Sequence, residues 1–382
     1  MKAKVVHIVT RLDFGGAQQN TLYTVEHLDA QRFETVLLCG PGGRLDERAD
    51  HLAEKGVRVR FIEDLVREIS PLRDCIAYFQ LYAALKREKP DIVHTHSSKA
   101  GILGRIAAQA AGVPVIIHTF HGFGFHEHMR RPVRAFYVLH ERIAAALCRK
   151  LIFVSRANMD YARAYGIGNE AQYELIRSGV ALSALPAVIK GKSSKRRELG
   201  LPEQGPLITT IGNLKPQKNF QDFLNAARST HEKCPDAVFA FVGDGPGRGE
   251  FLRQIKNLGL EGRAFLLGWR ADAPDILAAS DIFFLTSLWE GLPRSLVEAM
   301  KSGLPCVAYA VDGVMDLIVD GRNGYIAAPK DWETAANRLM ELIHDENLRK
   351  TIGRAAQASV GPEFDIDNMV RRQEELYADL TL

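Results

Sequence analysis

Ile282-Phe283-Phe284-Leu285-Thr286-Ser287-Leu288-Trp289-Glu290-Gly291-Leu292-Pro293-Arg294-Ser295-Leu296-Val297-Glu298-Ala299-Met300 holds a strand, a loop and the start of a helix, in that order. Four apolar residues, Ile282 to Leu285, give way to a polar loop around Ser287 and Glu290. Pro293 suits a helix start, because its missing N–H would have no intrahelical partner there. The same rhythm recurs on either side. Short apolar runs ending in glycine or polar turns stand at Val5–Val9, Thr35–Leu38, Val57–Phe61, Ile92–His94, Val115–His118 and Leu151–Val154. A second series follows at Leu207–Ile211, Val238–Val242, Ala264–Leu267 and Cys306–Tyr309, with helical patterns between. Strands alternating with helices predict βα units and parallel sheets covered on both faces. The fold class is therefore α/β, with two doubly wound sheets.

A chain of 382 residues is about right for two domains of roughly 100–200 residues each. Between the two series of strands, Leu182 to Pro206 carries Pro186, Pro202 and Pro206 and the run Lys190-Gly191-Lys192-Ser193-Ser194-Lys195-Arg196-Arg197. This reads as a linker with a hinge near Ser183. It gives domains 1–182 and 183–362 with a cleft between them, and a C-terminal helical stretch, 363–382, able to pack back on the first. The last residues, Asn368 to Leu382, are helical in pattern and charged and suit either domain.

Composition is that of a folded protein, 46% hydrophobic and 25% charged. A net charge of +3 gives no case for nucleic acid. Cys39, Cys75, Cys148, Cys234 and Cys306 are scattered without a CxxC pair, which points to buried thiols of a reducing, cytosolic compartment. No apolar run reaches the roughly 18 residues of a membrane span. Basic residues gather at 130–163: Arg130, Arg131, Arg134, Arg142, Arg149, Lys150, Arg156 and Arg163, against Glu141 and Asp160. Phe136, Tyr137, Leu139, Ile143 and Leu147 are interleaved there at near-helical spacing. The pattern fits a basic amphipathic surface for anionic lipid as well as it fits a helix with one core face and one solvated face.

In open parallel sheets ligands sit beyond the carboxyl ends of strands. The first such loop, Asp13-Phe14-Gly15-Gly16-Ala17-Gln18, pairs glycines before a helix, which suits an anion at the helix N-terminus or simply a tight turn. It is not GxGxxG, and the second strand ends in Leu37-Leu38-Cys39-Gly40 without the acidic residue a dinucleotide needs. His94, His96, His118, His121, His126 and His128 cluster in the first half, but Glu127 is the one nearby carboxylate, so the set lacks ordinary metal ligation and no metal is expected. His121, in Thr119-Phe120-His121-Gly122-Phe123, follows a strand and faces the cleft, while His94 and His118 suit satisfied core positions.

In the second half, Gly212-Asn213-Leu214-Lys215-Pro216-Gln217-Lys218-Asn219 follows its first strand, and Lys218 with backbone donors near Gly212 could neutralise a diphosphate. The turn Gly243-Asp244-Gly245-Pro246-Gly247 reads as structural. In the opening stretch, the amides near Gly291 to Arg294 lie at the positive end of a helix. Glu290 and Glu298 can each accept from two vicinal hydroxyls, of a sugar and a ribose respectively. The bland alternative leaves Glu298 decorating a helix, although it sits beside Ala299 and Met300 and needs a partner.

Together these features resemble the family 4 retaining glycosyltransferases, whose GT-B fold is two facing Rossmann-like domains. The likeness runs over nearly the whole chain and is tightest from Gly243 to Gly324. There Glu290 and Glu298 form the Glu-x7-Glu element, followed by Ser302-Gly303-Leu304-Pro305-Cys306-Val307-Ala308 and Asp320-Gly321-Arg322-Asn323-Gly324-Tyr325. The resemblance implies that Glu290 contacts the donor sugar, Gly291, Leu292 and Pro293 bind sugar and phosphate through backbone, and Glu298 binds the ribose. It places Lys218 on the diphosphate, His121 along the N-terminal side of the donor site, Gly15 and Gly16 on phosphate or acceptor, and the base near Gly268-Trp269-Arg270. Asn213 stands where the family has Arg, leaving phosphate charge to another residue such as Arg294.

A narrower likeness is to bacterial enzymes of capsule, exopolysaccharide or O-antigen synthesis, through His94-Thr95-His96-Ser97-Ser98-Lys99-Ala100-Gly101 and Ile176-Arg177-Ser178-Gly179-Val180. It implies a nucleotide-sugar donor, with uridine the base of choice, and a saccharide or polyprenyl-diphosphate-saccharide acceptor. Retention without an evident nucleophile under the sugar suggests front-face substitution. No cofactor or essential metal is expected, since the donor loops lack an Asp-x-Asp cluster. The alternatives are a nucleotide-sugar epimerase and a noncatalytic sugar-nucleotide-binding protein.

Overall fold

The computed structural model describes residues 2–127, 129–185 and 191–381. His128 and Pro186, both named above, lie outside these residues. By packing, the chain divides into two compact units, Met1–Gly179 together with Ile366–Leu382, and Val180–Asp365.

The sheet of the first unit has the order β3-β2-β1-β4-β5-β6-β7, all parallel. Its strands are β1 (Ala3–Arg11), β2 (Phe33–Gly40), β3 (Arg58–Phe61), β4 (Ile92–His96), β5 (Val115–Phe120), β6 (Lys150–Phe153) and β7 (Tyr173–Leu175). The second unit repeats the pattern as β10-β9-β8-β11-β12-β13, again parallel. Here β8 is Leu207–Ile211, β9 Val238–Val242, β10 Ala264–Leu266, β11 Ile282–Leu285, β12 Cys306–Tyr309 and β13 Tyr325–Ala327. Counted within each unit, the first six strands stand in the 3-2-1-4-5-6 order of a doubly wound sheet. The order reverses between β1 and β4, and between β8 and β11, and a ligand crevice opens beyond such a reversal.

Central strands buried on both faces read as unbroken apolar runs. On one face of the first sheet, Val6, Ile8, Val36 and Val93 meet Leu81, Leu85 and Ala107. On the other, Val9 and Leu37 meet Leu22 and Val25. In the second unit, Phe223 packs edge-on to Phe239 and Phe241 and is stacked with Phe284.

Strands β7 and β13 escape the sequence reading: each is a three-residue edge strand, and Glu174 interrupts the first. The basic run read as linker is also corrected. Lys192–Glu198 is a helix of the second unit. Its Arg196 is buried, donating to the carbonyls of Gly205 and Ala279 and to Asp281. The final helix, Ile366–Thr381, packs on the first unit: Tyr23 Oη donates to Asp367 and the Asp29 amide to Glu374.

Candidate active site

In the second unit, the loops beyond β8 and β11 meet where the strand order reverses. The β8 loop turns through a short 3-10 segment, Pro216–Lys218, and enters the helix Phe220–Lys233 with Asn219 at φ +45°. The β11 loop is bonded directly to it. Thr286 Oγ1 donates to the Lys218 and Asn219 carbonyls, the Leu288 amide to Gln217 O at 2.8 Å, and Gln217 Nε2 to Trp289 O at 2.7 Å. These bonds fix the backbones that carry Lys218 and Glu290, and the two side chains form an ion pair, Lys218 Nζ to Glu290 Oε1. Glu290 is buried and Lys218 half-buried.

The loop after β12 braces the same region. Asp312 accepts from the Glu290 amide at 2.8 Å. A Cβ on Gly313 would stand 2.0 Å from the Gly291 carbonyl oxygen, so glycine is required for this approach. The β9 turn braces the other side. Gly243, at φ +138°, leaves its missing Cβ 1.9 Å from Gly212 O, and the Leu214 amide donates to Asp244 O. The glycine-rich turn after β9 therefore supports the β8 loop.

Beyond Pro293 the helix Arg294–Lys301 presents first-turn amides, the natural partners of an anion. Arg294 and Glu298 lie one turn apart on it. Burial pushes the Glu298 carboxyl up from its ordinary value, opposed by the Arg294 guanidinium. Burial likewise pulls Arg294 down, opposed by Glu298. Arg294 is thus the charge that opposes the burial of Glu298. At the end of β10, Gly268 O accepts from the Gly243 amide and Trp269 is about one-third exposed. Arg270 is turned aside in a two-point pair with Asp272 at 2.6 and 2.7 Å.

In the first unit, Gly15 ends the β1 loop and Gly16 opens the helix Gly16–His27. Gly15 has extended backbone, φ −177°. A Cβ there would meet mainly the mobile end of Gln18. The pairing is thus no steric necessity at Gly15. His121 follows β5, its Nε2 3.2 Å from His96 Nδ1. His94 Nδ1 meets Tyr377 Oη at 2.5 Å and its Nε2 meets Thr119 Oγ1 at 2.7 Å, while His118 Nδ1 meets Thr95 Oγ1 at 2.8 Å. Both are satisfied core residues. Burial lowers the imidazoles of His7, to about 3, and of His94, His96 and His118.

Potential ligand atoms of His7, His94 and His96 lie within 4.8 Å of one another; His96 Nε2 is bonded to His7 Nδ1 inside the trio, whereas both nitrogens of His94 and Nδ1 of His96 are bonded to groups outside it. His7 and Asp312 were missed by sequence reading. The available signals were a polar residue inside Val5-Val6-His7-Ile8-Val9 and an Asp-Gly pair just after a strand.

Residues 15–179 match the glycosyl transferase 4-like domain and residues 191–359 the glycosyl transferases group 1. The chain is 35% identical to the UDP-Gal:alpha-D-GlcNAc-diphosphoundecaprenol alpha-1,3-galactosyltransferase of Escherichia coli, covering 100% of this chain and 98% of the relative. It belongs to the group 1 glycosyl transferases. This glycosyltransferase is also 25% identical to the N,N'-diacetylbacillosaminyl-diphospho-undecaprenol alpha-1,3-N-acetylgalactosaminyltransferase of Campylobacter jejuni, over 87% of this chain and 88% of that one. Its fold is GT-B: Anabaena HepE, solved with UDP and glucose, superposes with a TM-score of 0.83 at 23% identity, covering 99% and 100% of the two chains. No helix among the described residues of the glycosyltransferase is long and apolar enough to cross a membrane.

Proposed function

We propose that this glycosyltransferase moves a hexose or N-acetylhexosamine from a UDP-sugar to a polyprenyl-diphosphate-linked saccharide, with retention at the anomeric carbon. The observation that carries the donor half is the cation–carboxylate pair Lys218–Glu290 at the strand-order reversal, beside a helix N-terminus. A diphosphate would recruit the ammonium and the first-turn amides, and sugar hydroxyls would take up the carboxylate. Glu298 would meet the ribose and Gly268–Trp269 the base. The E. coli and C. jejuni relatives support the acceptor half.

The acceptor hydroxyl attacks the anomeric carbon on the face from which the diphosphate leaves. The bond from that carbon to the phosphate oxygen breaks, the bond to the acceptor oxygen forms, and the acceptor proton passes to the departing phosphate. Lys218 stabilises the charge that develops there, so catalysis is mainly positioning and electrostatics. Incubation with UDP-galactose and GlcNAc-diphosphoundecaprenol should release UDP in step with a disaccharide-lipid product. UDP release without acceptor dependence, or epimerised UDP-sugar, would reject transfer. Full turnover in EDTA is expected.

We also propose that the glycosyltransferase reaches its lipid-borne acceptor by peripheral membrane contact through 130–163. The helix Arg131–Ala145 leaves Val133, Phe136, Leu139 and Ile143 exposed beside Arg130 and Arg131. Of the basic residues in that span, Arg142 donates to Tyr165 O, Lys150 pairs with Glu174, and Arg163 pairs with Glu170. Arg130 and Arg131 place positive charge at the start of this exposed apolar helix. Phe136→Ser with Leu139→Ser should lower co-flotation with phosphatidylglycerol vesicles, and unchanged flotation would remove this surface.

A further inference from the structure

The turn that carries Lys218 is reached from a third strand. Asn219 takes a left-handed conformation, φ +45° and ψ +53°, between the 3-10 segment Pro216–Lys218 and the helix Phe220–Lys233. That region costs a non-glycine residue energy, although less for asparagine than for most. As the residue before a helix, Asn219 would ordinarily accept a first-turn amide with its side-chain oxygen. Among the described residues no such cap forms, and Nδ2 donates instead to Asp222 Oδ2 at 2.6 Å. The same oxygen accepts, at 2.8 Å, from the hydroxyl of Tyr309, the last residue of β12. Tyr309 and Asp222 are both buried. Burial, and then the carboxylate it faces, push the Tyr309 phenol up from its ordinary value, so it remains a donor at neutral pH.

What this chain of bonds holds is the path of Lys218. Thr286, just beyond β11, donates to the Lys218 and Asn219 carbonyls. The turn is therefore gripped by its backbone from β11 and by the Asn219 side chain from β12. Past the backbone, the Lys218 stem lies across Gly212. A Cβ on Gly212 would stand 3.3, 3.1 and 2.8 Å from Cγ, Cδ and Cε of Lys218. With the stem laid along the β8 loop in this way, the position of the Lys218 backbone decides where the ammonium ends. Three residues beyond Tyr309, Asp312 accepts from the Glu290 amide. The end of β12 thus reaches both members of the Lys218–Glu290 pair, one through Tyr309 and the other through Asp312.

We propose that Asp222 and Tyr309 are positioning residues for Lys218, holding the left-handed turn at Asn219 so that the ammonium is presented to the departing diphosphate. Both act through Lys218. A group that acts by stabilising charge in the transition state loses rate when it is displaced, even if it is still present. The kinetic consequence rests on the proposed role of Lys218 at the leaving group, whereas the placement of the ammonium does not.

Placement is read without turnover. The Lys218 side chain is 16% exposed and paired with Glu290, so limiting acetic anhydride should acylate it slowly relative to the exposed Lys256, as measured by peptide mass spectrometry. In Asp222→Ala that ratio should rise about fivefold, the scale of one lost hydrogen bond. Asp222→Asn, which keeps an oxygen acceptor, should bring it back near the parent value. Asp222→Ala also strands a buried hydroxyl and loses some stability. Tyr309→Phe keeps the shape of the site, should raise the ratio in the same direction, and guards against an alanine variant that does not fold. Unchanged labelling of Lys218 in the folded variants overturns the proposal.

Kinetics with UDP-galactose and GlcNAc-diphosphoundecaprenol then separate positioning from stability. Asp222→Ala should lower kcat about five- to tenfold with donor KM little changed, and should cost nothing further in a Lys218→Ala background, because its effect passes through the ammonium. A full additional loss in that background would make Asp222 merely structural and overturns the proposal. Parent-like turnover in Lys218→Ala would instead reject the leaving-group role of Lys218 itself, and the catalytic half of the proposal with it, whatever the labelling shows.

Discussion

In the middle of β1 and at the carboxyl end of β4 the first sheet carries neutral, buried imidazoles bonded to one another. At the carboxyl ends of β8 and β11 the second sheet leads into an ammonium paired with a carboxylate. The strand order is shared and the crevice falls in the same topological place. The chemistry differs because each loop supplies its own side chains. The imidazoles of the first unit offer hydrogen bonds without charge, which suits hydroxyl-bearing groups. The second offers charge held by a rigid backbone, which suits a diphosphate whose negative charge grows as it leaves.

The largest effect that separates the two is acid sensitivity. His7, His94, His96 and His118 have imidazoles lowered by burial, so below about pH 6.5 they protonate in the unfolded chain before they do so in the folded one. The unfolded state then binds more protons, and stability falls as pH drops. The contribution is complete above the unfolded value and is lost progressively toward the folded one, near 3 for His7. Each such group contributes up to about 1.4 kcal/mol per pH unit in that window. Hydrogen exchange at pH 5.5 against pH 7.5, corrected for intrinsic rates, should show protection lost in β1, β4 and β5 well before β8, β9 and β11. Equal loss in both sheets would show that the imidazoles are not the acid-labile element.

Next in size is Glu290→Gln, which keeps shape and removes charge. It should cut kcat by roughly 10²-fold or more, in line with loss of one preorganised electrostatic group, with the melting temperature nearly unmoved. Parent-like turnover would take Glu290 out of the reaction. Lys218→Ala should cost somewhat less, about 10- to 10²-fold in kcat, and should fall more heavily on kcat than on donor KM if the ammonium acts on the leaving group. A pure KM effect would make Lys218 a binding residue only.

Much of this contrast was legible in the chain. Strands buried on both faces announced themselves as apolar runs, and the loops after them held Lys218, Glu290 and His121 where a parallel sheet places ligands. What stayed hidden depends on register and on topology. Lys218 and Glu290 belong to loops after different strands, and they meet because β8 and β11 are neighbours where the order reverses. His7 looked like an interruption of a strand until β1 paired with β4 and set His7 opposite His94, two residues from His96. Of the three-residue edge strands, β10 was read from its run Ala264–Leu267, while β7 and β13 were not. The basic run at 192–198 looked like solvated linker because nothing in its composition shows Arg196 capping buried carbonyls.

The smallest expected effect tests the brace behind the charged site. Asp312 accepts the Glu290 amide hydrogen bond and holds φ +31°, a left-handed conformation that costs a non-glycine residue energy. Keeping that conformation is worthwhile if the bond fixes where the Glu290 carboxylate points. Asp312→Gly relieves the backbone while deleting the bond, whereas Asp312→Asn keeps an acceptor and removes the charge. The glycine variant should fold with little change in melting temperature yet lose about fivefold in kcat/KM, the scale of one hydrogen bond of about 1 kcal/mol. The asparagine variant should stay close to the parent. Equal loss in both would show that the Asp312 charge matters to the site and not its bond to Glu290, and loss in neither would leave Gly313 packed on Gly291 as the sole brace needed from the β12 loop.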